Sequence, residues 1–262
     1  MRPMLNVAIQ AIRQGGNFII KQYEMLNTKH IKTLKIKNDL LININKKISQ
    51  IITNVIKKYY PLDTIFIKNQ QNCMNLNNNT QWIINPLDSQ TNFIKHIPYF
   101  ASSIAVQIKG KTEISVVYDP IHNDLFIASK GQGTQLNGYR IHNYITKQLI
   151  HNYEIITYFP YYNKEHTTIM HTLNNKLYTI KHDIDFRYSG AITLDFAYVA
   201  AGRISAIFAS NLNTYNFTSG ALLIQEAGGL ILNLNQHKIS NNTSKNIIAG
   251  SPALIKLIIA KN

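Results

Sequence analysis

The feature that most constrains the fold is a change of hydrophobic period at Pro61. Before Pro61, apolar residues recur every three or four positions and lysines fill the opposite face, which predicts an amphipathic helix; the apolar residues are Ile48, Ile51, Ile52, Val55 and Ile56. After it come short β-branched runs typical of strands, at residues 64–67, 82–84, 103–108, 114–118 and 125–128. Gly110 separates two of these runs and predicts a hairpin turn. Such a chain is expected to pack helices against a sheet.

Helical spacing over residues 4–25 predicts a first helix, and the second half of the chain alternates strands with helices. The predicted strands are 154–158, 204–208, 229–232 and 246–248, and the predicted helices are 191–201 and 217–227. Gly228-Gly229 ends the second of these helices, and Ser251 caps a last helix that begins at Pro252. The predicted fold class is α/β, an α+β layered sandwich. One compact unit contains two sub-domains, residues 1–150 and 151–262, around a cleft.

Chain length and composition exclude several classes of protein. The 262 residues are 45% hydrophobic, which is too apolar for a disordered chain. No apolar run approaches the roughly 20 residues that span a bilayer. The start of the chain lacks the apolar stretch and cleavage site of a secretory signal, and Cys73 is the single cysteine. These observations predict a cytoplasmic protein.

The net charge of +14 permits two interpretations. A strongly basic chain favours an anionic partner, of which RNA is the obvious one. However, 22 of the 27 basic residues are lysines, and asparagine and isoleucine are also abundant, which is the composition towards which an A/T-rich genome drifts. The lysines are scattered, whereas nucleic-acid sites more often concentrate arginines with aromatic residues. Both interpretations stay open.

Several segments match the sequence patterns of one family. Residues 82–93 resemble the pattern W-x-x-D-P-L-D-G-T-x-N-F and residues 215–220 resemble W-D-x-A-x-G, which are two signatures of the inositol monophosphatase family. Further matching segments lie at 100–110, 117–120, 131–138, 194–203 and 226–229. The chain is therefore identified as a member of this family by resemblance over essentially its whole length. The resemblance implies the family's αβαβα arrangement of two sub-domains.

Members of this family hydrolyse phosphate monoesters with Mg²⁺, and that chemistry depends on carboxylates. Several small, hard cations lie close together, and each of them prefers oxygen ligands in octahedral geometry. The metal ions polarise the phosphoryl group and generate the attacking hydroxide. A cluster of aspartates and glutamates is needed to compensate their charge.

At the family's metal positions this chain retains one carboxylate. The resemblance places those positions at Asn45, Lys68, Asn85, Leu87, Asp88 and Asn216. The threonine that orients the nucleophile is Gln90 here, and the glutamate near the substrate hydroxyls is Ala209. Asp88, Ser89 and Gln90 form a remnant of the phosphate-binding segment. The formal charges of Asp88 and Lys68 sum to about zero, so we expect no functional catalytic residue at Lys68, Asn85, Gln90 or Asn216 and no bound Mg²⁺.

The sequence favours a pseudoenzyme whose fold is kept for another purpose. Within the family the chain most resembles a bacterial member that also serves as an antitermination factor in ribosomal RNA transcription. That resemblance implies NusA and RNA polymerase as partners, RNA as a further candidate, a role in ribosome biogenesis and a homodimer. Two alternatives stay open: a Mg²⁺-dependent inositol-1-monophosphatase with residual activity, and a folded relic without a partner.

The substitutions also predict what replaces the metal. The family fold brings the positions of Lys68 and Asp88 within a few ångströms of each other. An unpaired charge in a partly buried cleft is costly, whereas a hydrogen-bonded pair is tolerated. We therefore expect the Lys68 ammonium to pair with the Asp88 carboxylate, with Asn45, Asn85 and Asn216 bonded around them.

Overall fold

The computed structural model describes residues 2–28, 34–68, 80–143, 152–158, 183–233 and 246–260. Its helices are α1 (Arg2–Thr28), α2 (Leu34–Tyr59), α3 (Gln90–Ile94), α4 (Ile192–Ala200), α5 (Thr214–Glu226) and α6 (Pro252–Ala260). The first sheet contains β1 (Thr64–Ile67), β2 (Thr80–Asp88), β3 (Ala101–Ile108), β4 (Lys111–Asp119), β5 (Asp124–Ser129), β6 (Gly133–Leu136) and β7 (Tyr139–Ile141). The second sheet contains β8 (Asn152–Tyr158), β9 (Asp183–Arg187), β10 (Ala206–Ala209), β11 (Leu230–Asn233) and β12 (Ile247–Gly250).

The two N-terminal helices form because each has one apolar face, and they bury those faces against each other and the first sheet. Ile48, Ile52 and Ile56 of α2 are fully buried in one core cluster with Ile12 and Ile19 of α1. The helix α2 ends at Tyr59, two residues before Pro61, as the change of period predicts. None of the described helices combines the length and apolar character needed to cross a membrane.

The first sheet runs in sequence order from β1 to β7. The strands β1 and β2 are parallel, and every later pair in this sheet is antiparallel. The predicted turn between β3 and β4 is present: Lys109 and Gly110 have φ values of 50° and 74°, so two residues connect the paired ends Ile108 and Lys111. The single parallel pair places the ends of β1 and β2 at one edge of the sheet.

The second sheet has the order β11-β12-β10-β8-β9. Its central strand β10 is parallel to β8 and antiparallel to β12. The helix α6 begins as expected, since the Ser251 Oγ accepts the Leu254 amide at 3.3 Å. At the end of α5, Gly228 adopts a φ of 85° and its amide donates to the Gln225 carbonyl at 3.1 Å.

The layers alternate as helix, sheet, helix, sheet, helix. Neighbouring residues of a strand face opposite sides, so Val116 of β4 packs with α1 and α2 while Val117 packs with α4 and α5. In the second sheet, Ile156 of β8 faces α4 and α5, and Ile155 faces α6. This order confirms the predicted α/β class and the αβαβα arrangement.

Some elements differ from the prediction. No strand was predicted between residues 131 and 141, but β6 and β7 form a hairpin there around Asn137 and Gly138. The short helix α3 and the edge strand β9 were also not predicted. Cys73 and the proposed sub-domain boundary at residue 150 lie outside the described residues, and the division at that boundary stays a prediction.

Candidate functional site

The site lies where β1 and β2 end side by side. Residues 64–67 pair in parallel with residues 81–84, and the Lys68 amide donates to the Ile84 carbonyl at 3.0 Å. Beyond that point β2 continues through Asn85 to Asp88, with a break in its register to β3 between these two residues. A break of this kind redirects side chains at the end of a strand. It leaves both Asn85 and Asp88 buried.

Two helices of the C-terminal half bring their first turns to the same place. The Asn213 side chain caps α5 by accepting the Asn216 amide at 3.1 Å, which positions Asn216 in the first turn. In the first turn of α4, the Thr193 amide donates to Asp88 Oδ2 at 2.8 Å. Free amides at a helix start favour a carboxylate.

The Lys68 side chain lies between these groups. Its Nζ is 3.2 Å from Asp88 Oδ1 and 3.3 Å from Asn216 Oδ1. Asn85 Nδ2 donates to the same Asn216 oxygen at 3.0 Å. The Lys68 side chain is 20% exposed and the Asp88 side chain 4% exposed. We call these four residues the Lys68 cluster; it contains the ion pair predicted from the sequence and two of the three predicted asparagines.

The other residues predicted for the site occupy different positions. Asn45 lies within α2, and its buried Oδ1 has no hydrogen-bond partner among the residues that the structure describes, so the prediction that this oxygen joins the cluster is wrong. Asn45 lies on the same face of α2 as the buried residues Ser49, Ile52 and Ile56, so its side-chain oxygen is buried within that face and not in the Lys68 cluster.

The remnant segment after Asp88 begins a new element. Ser89 has φ 62° and ψ 60°, the left-handed conformation, and precedes α3, of which Gln90 is the first residue. Leu87 is buried in the core cluster beneath α1 and α2, and Ala209 is buried at the end of β10. These positions supply no charged side chain to the site.

The donor set can be compared with what Mg²⁺ requires. Both oxygens of Asp88 already accept hydrogen bonds, one from the Lys68 ammonium and one from the Thr193 amide. Asn216 Oδ1 accepts from Lys68 and Asn85, while Asn85 Oδ1 is buried and has no partner in the described part of the chain. Within the same ranges no three acidic, histidine or cysteine residues come together as possible metal ligands. One engaged carboxylate with amide oxygens fits an ammonium ion and does not fit closely spaced divalent cations.

A cavity of 1020 Å³ begins at Ser89, the residue after Asp88, and is lined by residues of both halves of the chain, between which the sequence predicts a cleft. Ser89, Asn92 and Gly190 form the wall nearest the cluster, and further lining residues are Ile97, Tyr99, Glu154, Tyr158, Arg187, Tyr188, Ser189, Tyr198 and Arg203. The Asn92 Nδ2 donates to the carbonyls of Tyr99 and Ser189, which joins two walls of the cavity.

Behind this wall lies a second buried carboxylate, Asp195 of α4. It accepts hydrogen bonds from the Tyr99 hydroxyl at 2.8 Å and the Ser189 hydroxyl at 2.5 Å. Burial raises the pKa of Asp195 to about 7, because the two hydroxyl groups offset only part of the lost hydration. Burial also raises the pKa of Tyr99. Asp195 could have been recognised in the sequence as an acidic residue inside the mostly apolar segment 194–203.

The protein is therefore a layered α/β sandwich with a polar site between its N-terminal and C-terminal halves. The family model described as "Inositol monophosphatase family" matches residues 1–262, and the chain belongs to that family.

Comparison with individual proteins is more specific. The chain is 46% identical over 266 residues to "Nus factor SuhB" of Buchnera aphidicola subsp. Acyrthosiphon pisum, covering 100% of this chain and 97% of the relative. It is 41% identical over 260 residues to "Nus factor SuhB" of Escherichia coli K12, covering 99% and 96%. The crystal structure of extragenic suppressor protein suhB from Bartonella henselae superposes with a TM-score of 0.81 at 29% identity, covering 98% of both chains.

Proposed function

We propose that this protein is a non-catalytic member of the inositol monophosphatase family that acts as a Nus factor, in the manner of SuhB. The observation that carries the first part is the position of the Lys68 ammonium, 3.2 Å from Asp88, at the place where the resemblance locates metal ligands. The second part is supported by similarity over the full chain to relatives named Nus factor SuhB.

The loss of catalysis follows from electrostatics. Hydrolysis in this family needs metal ions to generate hydroxide and to stabilise charge on the phosphoryl group. The Lys68 cluster has a formal charge of zero, and a lysine ammonium neither ionises a bound water nor coordinates two oxygens of a substrate as a metal does. Asp88, Ser89 and Gln90 remain as a remnant without the neighbouring charge that such chemistry uses.

The proposed partners are NusA and RNA polymerase in the ribosomal RNA antitermination complex, which supports ribosome biogenesis. RNA is a further candidate, given the net charge of +14. A cytoplasmic location is proposed on the same basis, because transcription takes place there.

A homodimer is proposed as the working form. Ile97 and Tyr188 line the cavity beside the Lys68 cluster and are 46% and 53% exposed, and Phe186 on the neighbouring strand β9 is 47% exposed. Large apolar side chains that share one exposed region favour burial against a protein surface. A second copy of the chain is the occupant that we propose for this region.

The test is direct binding of the purified chain to NusA from the same organism, with the E. coli SuhB and NusA pair as a reference. We expect saturable binding to NusA that is equal in Mg²⁺ and in EDTA, and sedimentation of the free protein as a dimer. The same preparation is assayed for phosphate release from inositol 1-phosphate with Mg²⁺, where we expect none above background.

Two results would contradict the proposal. Phosphatase activity that rises with Mg²⁺ would favour the family's enzymatic activity instead. Absence of both activity and NusA binding would favour a folded relic.

RNA binding is tested separately, by measuring affinity as the salt concentration is raised. Binding that falls steeply would assign a function to the net charge, since phosphate contacts release counterions. Binding insensitive to salt would assign the charge to base composition.

A further inference from the structure

We propose that the Lys68 ammonium is a built-in cation that joins the two halves of the molecule, so that the cleft keeps its shape without any divalent metal. This inference goes beyond the proposed function, because it concerns the cleft itself and requires no particular partner. It starts from the disagreement between the family's metal chemistry and the residues of the Lys68 cluster.

The hydrogen bonds of the Lys68 cluster connect the N-terminal half of the chain with the C-terminal half. Lys68 and Asp88 extend from β1 and β2 of the first sheet. Asn216 and the Thr193 amide belong to the first turns of α5 and α4, which follow the second sheet's strands in the chain. Lys68 therefore bonds to Asn216 across 148 residues of sequence, and Asp88 to Thr193 across 105. Lys68 thus binds the first turn of α5, and Asp88 binds the first turn of α4.

The electrostatics favour a covalently attached cation here. Asp88 is almost completely buried, and an isolated buried carboxylate is strongly unfavourable unless a partner charge and hydrogen bonds compensate it. A free metal ion compensates it only while the ion is bound, so the stability gained depends on the ion's concentration. A lysine in the same chain compensates Asp88 at every metal concentration.

The substitutions in the cluster are consistent with one another. Asn216 Oδ1 accepts from the ammonium and also from Asn85 Nδ2. An aspartate at position 85 has no donor for this oxygen when ionised, and it would add a second negative charge beside Asp88. The two amides thus bring hydrogen bonds without charge around a single ion pair. Independent loss of ligands would not be expected to produce this arrangement.

The first experiment compares Lys68→Met with Lys109→Met by urea unfolding, with and without Mg²⁺. Methionine keeps much of the apolar stem and removes the charge, and Lys109 is an exposed lysine in the turn between β3 and β4. We expect Lys68→Met to raise the unfolding equilibrium constant about 30-fold, because it strands a buried carboxylate. Lys109→Met should change it about twofold or less. Amide hydrogen exchange should also accelerate in the first turns of α4 and α5.

A double-variant cycle separates the ion pair from simple loss of packing. If Asp88 is stranded in Lys68→Met, then adding Asp88→Asn should recover part of the lost stability, whereas Asp88→Asn alone should be destabilising. Additive effects of the two substitutions would overturn the proposed pairing. So would a Lys68→Met effect no larger than that of Lys109→Met.

The second experiment reverses the metal dependence. The unfolding curve of the natural protein should be the same in millimolar Mg²⁺ and in EDTA. The triple variant Lys68→Glu, Asn85→Asp, Asn216→Asp gathers four carboxylates with Asp88, so it should be less stable in EDTA and regain stability with Mg²⁺. Stabilisation of the natural protein by Mg²⁺ would overturn the inference. If the triple variant does not fold, the cycle of Lys68→Met and Asp88→Asn still tests the inference.

Discussion

The Lys68 cluster and the crossing of α4 with α5 lie next to each other and derive from the same family signatures, yet they differ in what has changed. In the cluster, the residues that match metal positions carry amides and an ammonium in place of most carboxylates. At the helix crossing, Gly220 matches the last position of the second signature and is retained. A Cβ added at Gly220 would lie 2.3 Å from Cγ of Phe196, so α5 can approach α4 only with glycine there. The difference separates positions that the resemblance assigns to metal binding from residues that serve packing.

Another retained residue supports the same distinction. Glu226, in the matching segment 226–229, accepts the amides of Gly131 and Gly133 at 2.8 Å each. This carboxylate joins the end of α5 to the turn between β5 and β6, and the resemblance assigns no metal role to its position. Acidic residues were therefore not lost throughout the chain. The resemblance assigns the changed acidic positions to metal ions and, at Ala209, to the substrate hydroxyls.

The largest effect that we expect from a single group concerns the buried acid of the helix crossing. Burial raises the pKa of Asp195 to about 7 from 3.8, so the folded protein keeps a proton that the unfolded chain releases. The stability that this group contributes is therefore complete below pH 4 and declines as the pH rises towards 7. Between pH 5 and pH 8 the decline is on the order of 2–3 kcal/mol.

Asp195→Asn should abolish this part of the pH dependence, as measured by urea unfolding at pH 5 and pH 8. The asparagine side chain of the variant has no carboxyl proton to lose, so the difference between the natural protein and the variant should shift in favour of the variant at the higher pH. Asp185→Asn on the exposed strand β9 is the matched control and should leave the profile unchanged. An identical pH profile for Asp195→Asn would show that Tyr99 and Ser189 stabilise the ionised form fully.

The next effect tests whether the retained glycine is a packing residue. Gly220→Ala should lower the free energy of unfolding by about 2 kcal/mol, because the added methyl group must displace the Phe196 ring or separate α4 from α5. Ser219→Ala in the same turn is the control, since its buried Oγ has no hydrogen-bond partner in the described ranges and its removal should cost little. Equal stability of Gly220→Ala and the natural protein would remove the packing half of the comparison.

Sequence reasoning recovered the elements that had a clear period. The helix α2 was predicted because its apolar face repeats over several turns, and the strands β1 to β5 were predicted from short β-branched runs after Pro61. The hairpin of β6 and β7 was missed, although Asn137-Gly138 is a strong signal for a two-residue turn. Asp183–Arg187 alternates polar and apolar residues and could have been recognised as β9. The helix α3 has only five residues, too few for a periodic signal.

At the site, the sequence predicted which charged groups pair, but it did not predict which atoms every other side chain would meet. Lys68 and Asp88 were expected to meet because the resemblance places both of them among the family's metal positions. In the structure Lys68 follows β1 and Asp88 ends β2, and these two strands form one parallel pair. For Asn45, the motif match assigned the residue to the site but did not show which atoms its side chain would meet. Asp195 and the Thr193 amide reach the site from more than 100 residues away through tertiary packing. No local pattern encodes such a distance.

The smallest effect lies at the boundary between the two regions. Ser89 follows Asp88 at the glycine position of the first signature and retains the left-handed conformation, with φ 62° and ψ 60°. That conformation costs an L-residue about 1–2 kcal/mol, whereas glycine adopts it freely but loses more entropy on folding. Ser89→Gly should therefore raise the free energy of unfolding by about 0.5–1 kcal/mol. Thr91→Gly within α3 should lower it, because glycine is unfavourable in a helix. Both values follow from urea unfolding at one pH. A loss of stability in Ser89→Gly would mean that contacts of the serine side chain stabilise the fold by more free energy than the left-handed backbone conformation costs. Ser89 would then be grouped with the Lys68 cluster, whose side chains shape the site, and not with the residues that matter through their backbone conformation or packing.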